Sequence, residues 1–392
     1  MWQVTSHRFA WPRRRVVVEF ALPWLAAGVM CWFQVRPLRR YDLLVFLSAG
    51  KHVLSGASPY TGLHDPRLYD GSAFVYPWWT GVAFVPLSLL PVRAADLLWT
   101  TASIAAVVGA CRLAGVRAAP AALVVLTAAT TIRGLQVGSL NAFLLLGCVV
   151  AYKYRDRPRV VGTTLALVVG SKVFLFPLLV WLVVSRRWAA VRFCALVLGS
   201  LMAMSFLVGP IGPVDYAHLL TSLGAHEFAQ GLSLHRLLAG LVSGPVATTL
   251  GAAAATVVVG YAAVQRRRLG AGSDLLLFTA GLVAALMLTP IVWSHYLVLL
   301  FAPVLLARPR LLWFLMASVL SWLISSPIEP TVLDLSSEPR ILLLYAAMVG
   351  LLVAVARRPQ LCPVPAPSRE AQPPVRHLAD YRCADGYADV GG

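Results

Sequence analysis

The sequence predicts an all-α integral membrane protein that crosses the bilayer many times, and three observations carry this prediction. Hydrophobic residues make up 59% of the 392 residues and charged residues only 12%, which is about half the charged share of a soluble domain. Apolar runs of membrane-spanning length recur along the chain, and in hydrocarbon such runs satisfy their backbone polar groups as helices. None of the runs shows the strict alternation of a transmembrane barrel. We expect about 10–12 transmembrane helices.

The net charge of +17 is distributed as in a membrane protein and not as in a nucleic-acid-binding protein. The basic residues form short clusters between the apolar runs, at 13–15, 153–159, 186–187, 266–268, 308–310 and 357–358. The positive-inside rule produces this distribution and places these clusters in the cytoplasm. The six cysteines show neither a disulfide framework nor metal-ligand spacing.

The N-terminal part is predicted to contain a cytoplasmic segment, a retained first span and an external loop. Residues 1–15 are basic, and the apolar run 16–35 is too long for a signal-peptide core and lacks a small-residue cleavage site. Residues 36–73 then form the first external loop. Apolar residues recur there at helical spacing from Leu43 to Leu54, which predicts a short amphipathic helix in the membrane interface. Gly56 and Pro59 are expected to end it.

The rest of the chain alternates between spans and short connections. Residues 74–91 contain three prolines and two adjacent tryptophans, which predicts a short kinked or re-entrant segment. Residues 160–185 are interrupted at Gly170-Ser171-Lys172 and at Pro177. Each half is too short to span alone, so we expect a helical hairpin that dips into the membrane. The remaining spans are predicted at 94–111, 118–133, 139–152, 190–209, 246–264, 274–289, 293–307, 311–327 and 340–356.

Two later loops and the C-terminal tail complete the predicted topology. The loops 210–233 and 328–338 contain no Lys or Arg and are expected outside. The tail 358–392 is rich in Pro, Ala, Gly and Arg and is predicted to be disordered and cytoplasmic. Residues 16–357 would thus form one membrane domain. The chain shows no internal repeat, which counts against the repeat-built transporters.

Ionisable residues are few in this chain, and those at membrane depth or at its edge are candidate functional residues. Asp42 is a candidate general base, although it would also suit a loop aspartate that caps the following helix or pairs with Arg40. Lys172 lies between two apolar half-helices and either snorkels or meets an anion. His295 and Arg133 are candidates as well. His295 would also suit an interfacial histidine without a function, and Arg133 would also suit a snorkelling arginine at a helix end. No metal site is predicted, because the histidines and carboxylates match no ligand template.

Four ordered stretches carry a family resemblance. They are Tyr41-Asp42-Leu43 with Ser58-Pro59-Tyr60; Phe74-Val75-Tyr76-Pro77 with Pro86 to Pro91; Gln136-Val137-Gly138 with Asn141 and Gly170-Ser171-Lys172; and Thr289-Pro290-Ile291-Val292-Trp293-Ser294-His295. In this order they resemble glycosyltransferase family 87, which consists of polytopic bacterial enzymes of the GT-C superfamily. The chain departs from the family pattern at Phe46, at Trp78-Trp79 and at Tyr296, which leaves the acceptor open.

The resemblance implies a GT-C fold and a polyprenyl-phosphate sugar donor, commonly of mannose. The acceptor would be a glycolipid or polysaccharide at the outer face of the cytoplasmic membrane. By this match Asp42 is the catalytic base, and Lys172 and His295 are candidates for binding the donor. Arg40 is a further candidate for the donor phosphate, and Tyr76 for lining the sugar site. No cofactor is required, and a divalent cation is not indicated.

This chemistry agrees with the composition. A phosphate is already a good leaving group, so no second carboxylate is needed as a general acid, and one base suits a direct displacement with inversion. The departing phosphate needs positive charge, and the prenyl chain needs an apolar groove between helices. We therefore predict an inverting α-mannosyltransferase. The alternatives are an arabinofuranosyltransferase that uses decaprenyl-phosphate-arabinose and, from another class, a secondary transporter or lipid flippase.

Overall fold

The computed structural model describes residues 40–63, 65–69, 73–116, 119–227, 230–307, 311–325 and 337–357. Within these ranges the chain forms helices and no β-strand, which confirms the all-α prediction. The helices are α1 Tyr41–Leu54, α2 Trp78–Ser88, α3 Val92–Leu113, α4 Ala119–Leu126, α5 Ala129–Val137, α6 Asn141–Lys153, α7 Pro158–Ser171, α8 Leu178–Val184, α9 Trp188–Ala203, α10 Pro213–Glu227, α11 Leu234–Ala239, α12 Gly244–Leu269, α13 Asp274–Leu288, α14 Phe301–Leu306, α15 Leu311–Ile324 and α16 Ser337–Ala356. The predicted basic segment 1–15, first span 16–35, most of loop 328–338 and the tail 358–392 lie outside the described residues.

Several of the helices are long and apolar enough to make this a multi-pass membrane protein. Four of them could cross a membrane by length and composition: Val92–Leu113, Trp188–Val208, Gly244–Leu269 and Glu338–Ala356. The second of these is α9 together with its π-helical end, Met204–Val208. Six further apolar helices contain 10–17 residues. The predicted number of about 10–12 is reached among the described residues only if these shorter helices cross as well.

The span predicted at 118–133 is broken into α4 and α5, which meet at an angle of 53°. The break falls at Thr127 and Ala128, where no glycine or proline marks it. Polar side chains of α15 satisfy the backbone groups that the break frees: Trp322 Nε1 donates to the Thr127 carbonyl at 3.1 Å, and Ser321 Oγ accepts from the Ala129 amide at 3.0 Å. Such tertiary partners allow a helix to break inside hydrocarbon.

The helical hairpin predicted at 160–185 is present as α7 and α8, and its insertion into the membrane stays a prediction. The helical hydrogen bonding of α7 ends at Lys172, whose backbone is extended, and α8 begins after a short 3₁₀ turn, Val173–Leu175. The two ends of the hairpin meet, because Arg187 donates from Nη1 to the Arg155 carbonyl at 2.6 Å and to the Asp156 carboxylate at 2.8 Å. Lys172 therefore lies at the far end of the hairpin, about 20 Å along α7 from these contacts.

A buried ion cluster joins the base of the hairpin to the core helix α13. Asp274, the first residue of α13, is almost fully buried, and Arg155, Arg187 and Arg266 lie 3.1–3.4 Å from its carboxylate. Ser185 and Trp181 donate hydrogen bonds to the same carboxylate at 2.8 and 3.2 Å. A buried carboxylate is tolerated only when its charge and lone pairs are matched in this way. The three arginines come from the clusters predicted to be cytoplasmic, and Lys172 lies at the other end of the hairpin.

Candidate active site

The position of α1 is fixed by close contact with the end of α5. Gly138 follows α5 with a φ of 74°, and a Cβ built on it would lie 2.7 Å from the Leu43 Cβ. Trp99 Nε1 donates to the Gly138 carbonyl at 2.9 Å and holds the turn in place. On the same face α1 buries Phe46 and Leu47, and Phe46 stacks on Phe84 of α2. These contacts fix the rotation of α1 and hence the direction of Asp42 in its first turn.

Asp42 faces the protein and not open solvent. Its side chain is 26% exposed, and its Oδ2 lies 3.9 Å from Nε2 of His295. It forms no hydrogen bond with another described residue, so it does not serve as a helix cap. Arg40 pairs with a different carboxylate, so the alternative in which Asp42 pairs with Arg40 is also not found in this structure.

His295 reaches Asp42 because the chain before it is extended. The helical hydrogen bonding of α13 ends before Pro290, and a 3₁₀ segment, Ser294–Leu300, begins four residues after this proline. Asn141, at the start of α6, donates from Nδ2 to the His295 carbonyl at 3.0 Å. The imidazole is 8% exposed. The helix break and the buried amide together position the histidine.

Lys172 joins this site from the tip of the hairpin. Its ammonium lies 3.8 Å from the centre of the Tyr296 ring and 5.6 Å from that of Tyr76, and the side chain is 5% exposed. In the part of the chain that the structure describes, Lys172 has no carboxylate within salt-bridge distance. Cation–π contacts stabilise an ammonium by a few kcal/mol at most, so this cation remains available to an anion.

Tyr76 lines the same site. Its ring packs against Phe46 at 4.8 Å, and its carbonyl accepts a hydrogen bond from the Tyr60 hydroxyl at 2.9 Å. Its phenol lies within electrostatic range of Asp42. Trp79 donates from Nε1 to the Gly170 carbonyl at 3.2 Å. It is thereby attached to the tip of the hairpin.

Arg40 has partners of its own. Its Nε lies 2.8 Å from Oδ1 of Asp96 in α3, and its Nη1 donates to the Leu135 carbonyl in α5. The guanidinium thus ties the start of α1 to two other helices. Its predicted role in binding the donor phosphate stays a prediction.

Two further charged residues lie near these side chains: Arg133, which the sequence offered as a candidate, and Glu227, which it did not. Arg133 is half-buried, forms no salt bridge with a described residue, and is close enough to affect the charge of His295. Glu227, at the end of α10, lies within electrostatic range of Tyr296, as Asp42 does. The position of Arg133 before Gln136 and Asn141 was a usable signal, whereas nothing in the sequence marked Glu227.

The protonation of Asp42 is set by its surroundings. Burial raises the pKa of its carboxyl to about 6, and the positive charge of Lys172 opposes this rise. A carboxylate with such a pKa is still ionised at neutral pH and is a stronger base than an ordinary aspartate. No group of three His, Cys, Asp or Glu side chains that could hold a metal ion is present among the described residues.

An apolar groove begins beside the site. It has a volume of about 500 Å³ and runs between α14, α15 and α16. Its lining includes Leu297, two residues after His295, and Thr130, three residues before Arg133. Its other walls include Phe301, Leu320, Leu344 and Gly350. A long hydrocarbon chain would fit such a surface, because its walls are almost entirely apolar.

Comparison with known proteins assigns the chain to a family. The model of glycosyltransferase family 87 matches residues 74–294, more than half of the chain. The matched part contains Tyr76 and Lys172, whereas Asp42 precedes it and His295 follows directly after it. No curated protein and no solved structure matches the chain. The resemblance seen in the four ordered stretches is thereby confirmed, and the chain belongs to glycosyltransferase family 87.

Proposed function

We propose that this glycosyltransferase moves mannose from a polyprenyl-phosphate donor to a glycolipid or polysaccharide at the outer face of the cytoplasmic membrane. One observation carries the proposal: the Asp42 carboxylate lies 3.9 Å from the His295 imidazole and faces the buried ammonium of Lys172. A base and two groups that can bind a phosphate thus converge at one place.

The reaction would be a single displacement at the anomeric carbon of the sugar. Asp42 accepts the proton of an acceptor hydroxyl while the oxygen of that hydroxyl forms a bond to the anomeric carbon. The bond from this carbon to the phosphate oxygen breaks on the opposite face, and its electron pair leaves with the polyprenyl phosphate. Inversion follows from having one displacement, which gives an α-mannosyl product from a β-linked donor.

The departing phosphate would be bound by Lys172 and His295. Negative charge builds up on the leaving oxygen, and a fixed cation in a dry site stabilises it more than water does. The ammonium of Lys172 has only aromatic rings beside it, at 3.8 and 5.6 Å, so it can take an anion without losing a carboxylate partner. Arg133 stands close to His295 and supplies a second positive charge.

The apolar groove supports a lipid donor. A prenyl chain gains about 0.8 kcal/mol for each methylene-sized group that it buries. Leu297 and Thr130, which line the groove, are close in the chain to His295 and Arg133. Head and tail of one molecule would therefore occupy adjoining parts of the protein. The external location of the site is supported by the arginine cluster at the opposite end of the hairpin.

The test is a transfer assay in sealed right-side-out membrane vesicles that contain the protein. Radiolabelled polyprenyl-phosphate mannose serves as the donor, decaprenyl-phosphate arabinose is assayed in parallel, and a membrane-impermeant glycolipid acceptor is added outside. We expect mannose transfer, and we expect Asp42→Asn to lower the rate by about 10²- to 10⁴-fold because the general base is lost. Asp65→Asn, in the same external loop, should keep the wild-type rate.

Three results would contradict the proposal. Full transfer by Asp42→Asn would remove the assigned base. Transfer of arabinose in place of mannose would correct the donor, and activity only in inside-out vesicles would correct the face of the membrane.

A further inference from the structure

The helix α10 packs against segments of the chain that lie next to site residues. Tyr216 donates from its hydroxyl to the Val75 carbonyl at 3.0 Å, next to Tyr76. Near the other end of α10, a Cβ on Gly224 would lie 3.0 Å from Cγ of Pro290, in the segment that leads to His295. The helix α10 therefore bridges the two segments that carry site residues.

Glu227, the last residue of α10, is placed where a carboxylate is costly. It is half-buried, and burial raises the pKa of its carboxyl. Glu227 forms no salt bridge and no hydrogen bond with any other residue in the described ranges. A partly desolvated carboxylate without a donor is a group that a ligand hydroxyl can satisfy.

Glu227 and Asp42 act on the same aromatic residue. Both carboxylates lie within electrostatic range of Tyr296, whose ring is in contact with the ammonium of Lys172. Asp42 belongs to α1 and Glu227 to α10, so the two approach the site from different elements. The donor phosphate is proposed to bind the cationic side chains. The carboxylate of Glu227 is therefore left to bind the other substrate, the uncharged carbohydrate acceptor.

We propose that Glu227 binds hydroxyl groups of the carbohydrate acceptor and holds the attacking hydroxyl toward Asp42. Two neighbouring hydroxyls of a sugar ring can donate to the two oxygens of one carboxylate, which gives strong and directional recognition. Glu227 is a positioning residue for the acceptor and does not take the proton. This inference rests on the proposed glycosyl transfer.

The test separates acceptor binding from chemistry. Octyl mannoside and its monodeoxy analogues serve as acceptor probes, with radiolabelled polyprenyl-phosphate mannose as the donor. Glu227→Gln should raise KM for octyl mannoside about tenfold, because one charge-assisted hydrogen bond is weakened. The KM for the donor should stay unchanged, which also shows that the variant is folded. Asp215→Asn, an exposed carboxylate on the same helix, should leave both values unchanged.

The deoxy analogues show which hydroxyl is involved. In the wild type, removing the hydroxyl that contacts Glu227 should raise the acceptor KM, and in Glu227→Gln the same removal should have little further effect. Additive losses at every position, or a lower kcat with an unchanged acceptor KM, would overturn the inference. If the wild type transfers mannose to no carbohydrate probe, the proposed function fails. If transfer is normal in both proteins, only the role of Glu227 fails.

Discussion

At the Asp42 carboxylate, two parts of the surroundings act in opposite directions. Burial raises the pKa of its carboxyl to about 6, and the charge of Lys172 lowers it. Because only the ionised form can accept a proton, kcat/KM should fall tenfold per pH unit below about pH 6. A pH profile of the transfer reaction checks this, and a limb near pH 4 would contradict it.

The interaction between Lys172 and Asp42 leads to a second expectation for the pH profile of the transfer reaction. Lys172→Met removes the charge that lowers the pKa of Asp42, so the acid limb of the remaining activity should move to higher pH. Lys172→Arg keeps the charge and should keep the limb near its wild-type position. A limb that does not move in Lys172→Met would mean that the ammonium does not act on the base.

Single residues were predictable where the sequence around them was unusual. Asp42 and Lys172 stood out because ionisable groups are rare in so apolar a chain. The partner of Arg40 was hidden, because Asp96 lies in a different helix and a surface carboxylate carries no local signal. Glu227 was missed for the same reason: its significance depends on the fold of α10 over Pro290, and the sequence of loop 210–233 shows only that it lacks basic residues.

At the scale of the helices, the position of α1 depends on Gly138, which lies outside this helix. Gly138→Ala places a Cβ against Leu43 and also strains a backbone with φ of 74°. We expect α1 to shift and the transfer rate to fall by more than tenfold, because small displacements of a catalytic group are costly. Gly56→Ala is the matched control, since Gly56 has a φ of 72° with no atom within 4 Å of its Cβ. Equal effects of the two substitutions on the rate would rule out the contact as the cause.

The elements themselves were predicted to different degrees. The helical periodicity from Leu43 to Leu54 predicted α1, and the interruption at Lys172 and Pro177 predicted the hairpin. Both could be predicted because both signals are local in the sequence. The break between α4 and α5 has no local signal, since it is stabilised by Ser321 and Trp322 from α15. The helix α10 was predicted only as an external loop, because its apolar residues pack against Leu68, Phe206 and Val75, which the sequence of 210–233 alone does not show.

For the whole molecule, the lipid groove can be tested apart from the catalytic residues. Gly350 lines the groove, and a Cβ there meets no atom within 4 Å. Gly350→Phe should fill part of the groove and raise KM for long-chain polyprenyl-phosphate mannose several-fold, because buried methylenes lose their contacts. A donor with a single short prenyl unit should be used as well as before.

The control for this variant is Gly260→Phe. Gly260 lies in the long helix α12, and no atom lies within 4 Å of its Cβ either. It should leave KM for both donors unchanged. A similar rise with long and short donors in Gly350→Phe would show that the tail lies elsewhere.

The burial of Lys172 has a consequence for the stability of the enzyme. Folding strips this ammonium of water and surrounds it with the rings of Tyr76 and Tyr296, and aromatic faces replace only a part of the lost hydration energy. An arriving phosphate restores the remainder, and it does so only in the native state. The molecule that the enzyme consumes should thus also be the one that protects it against heat and detergent.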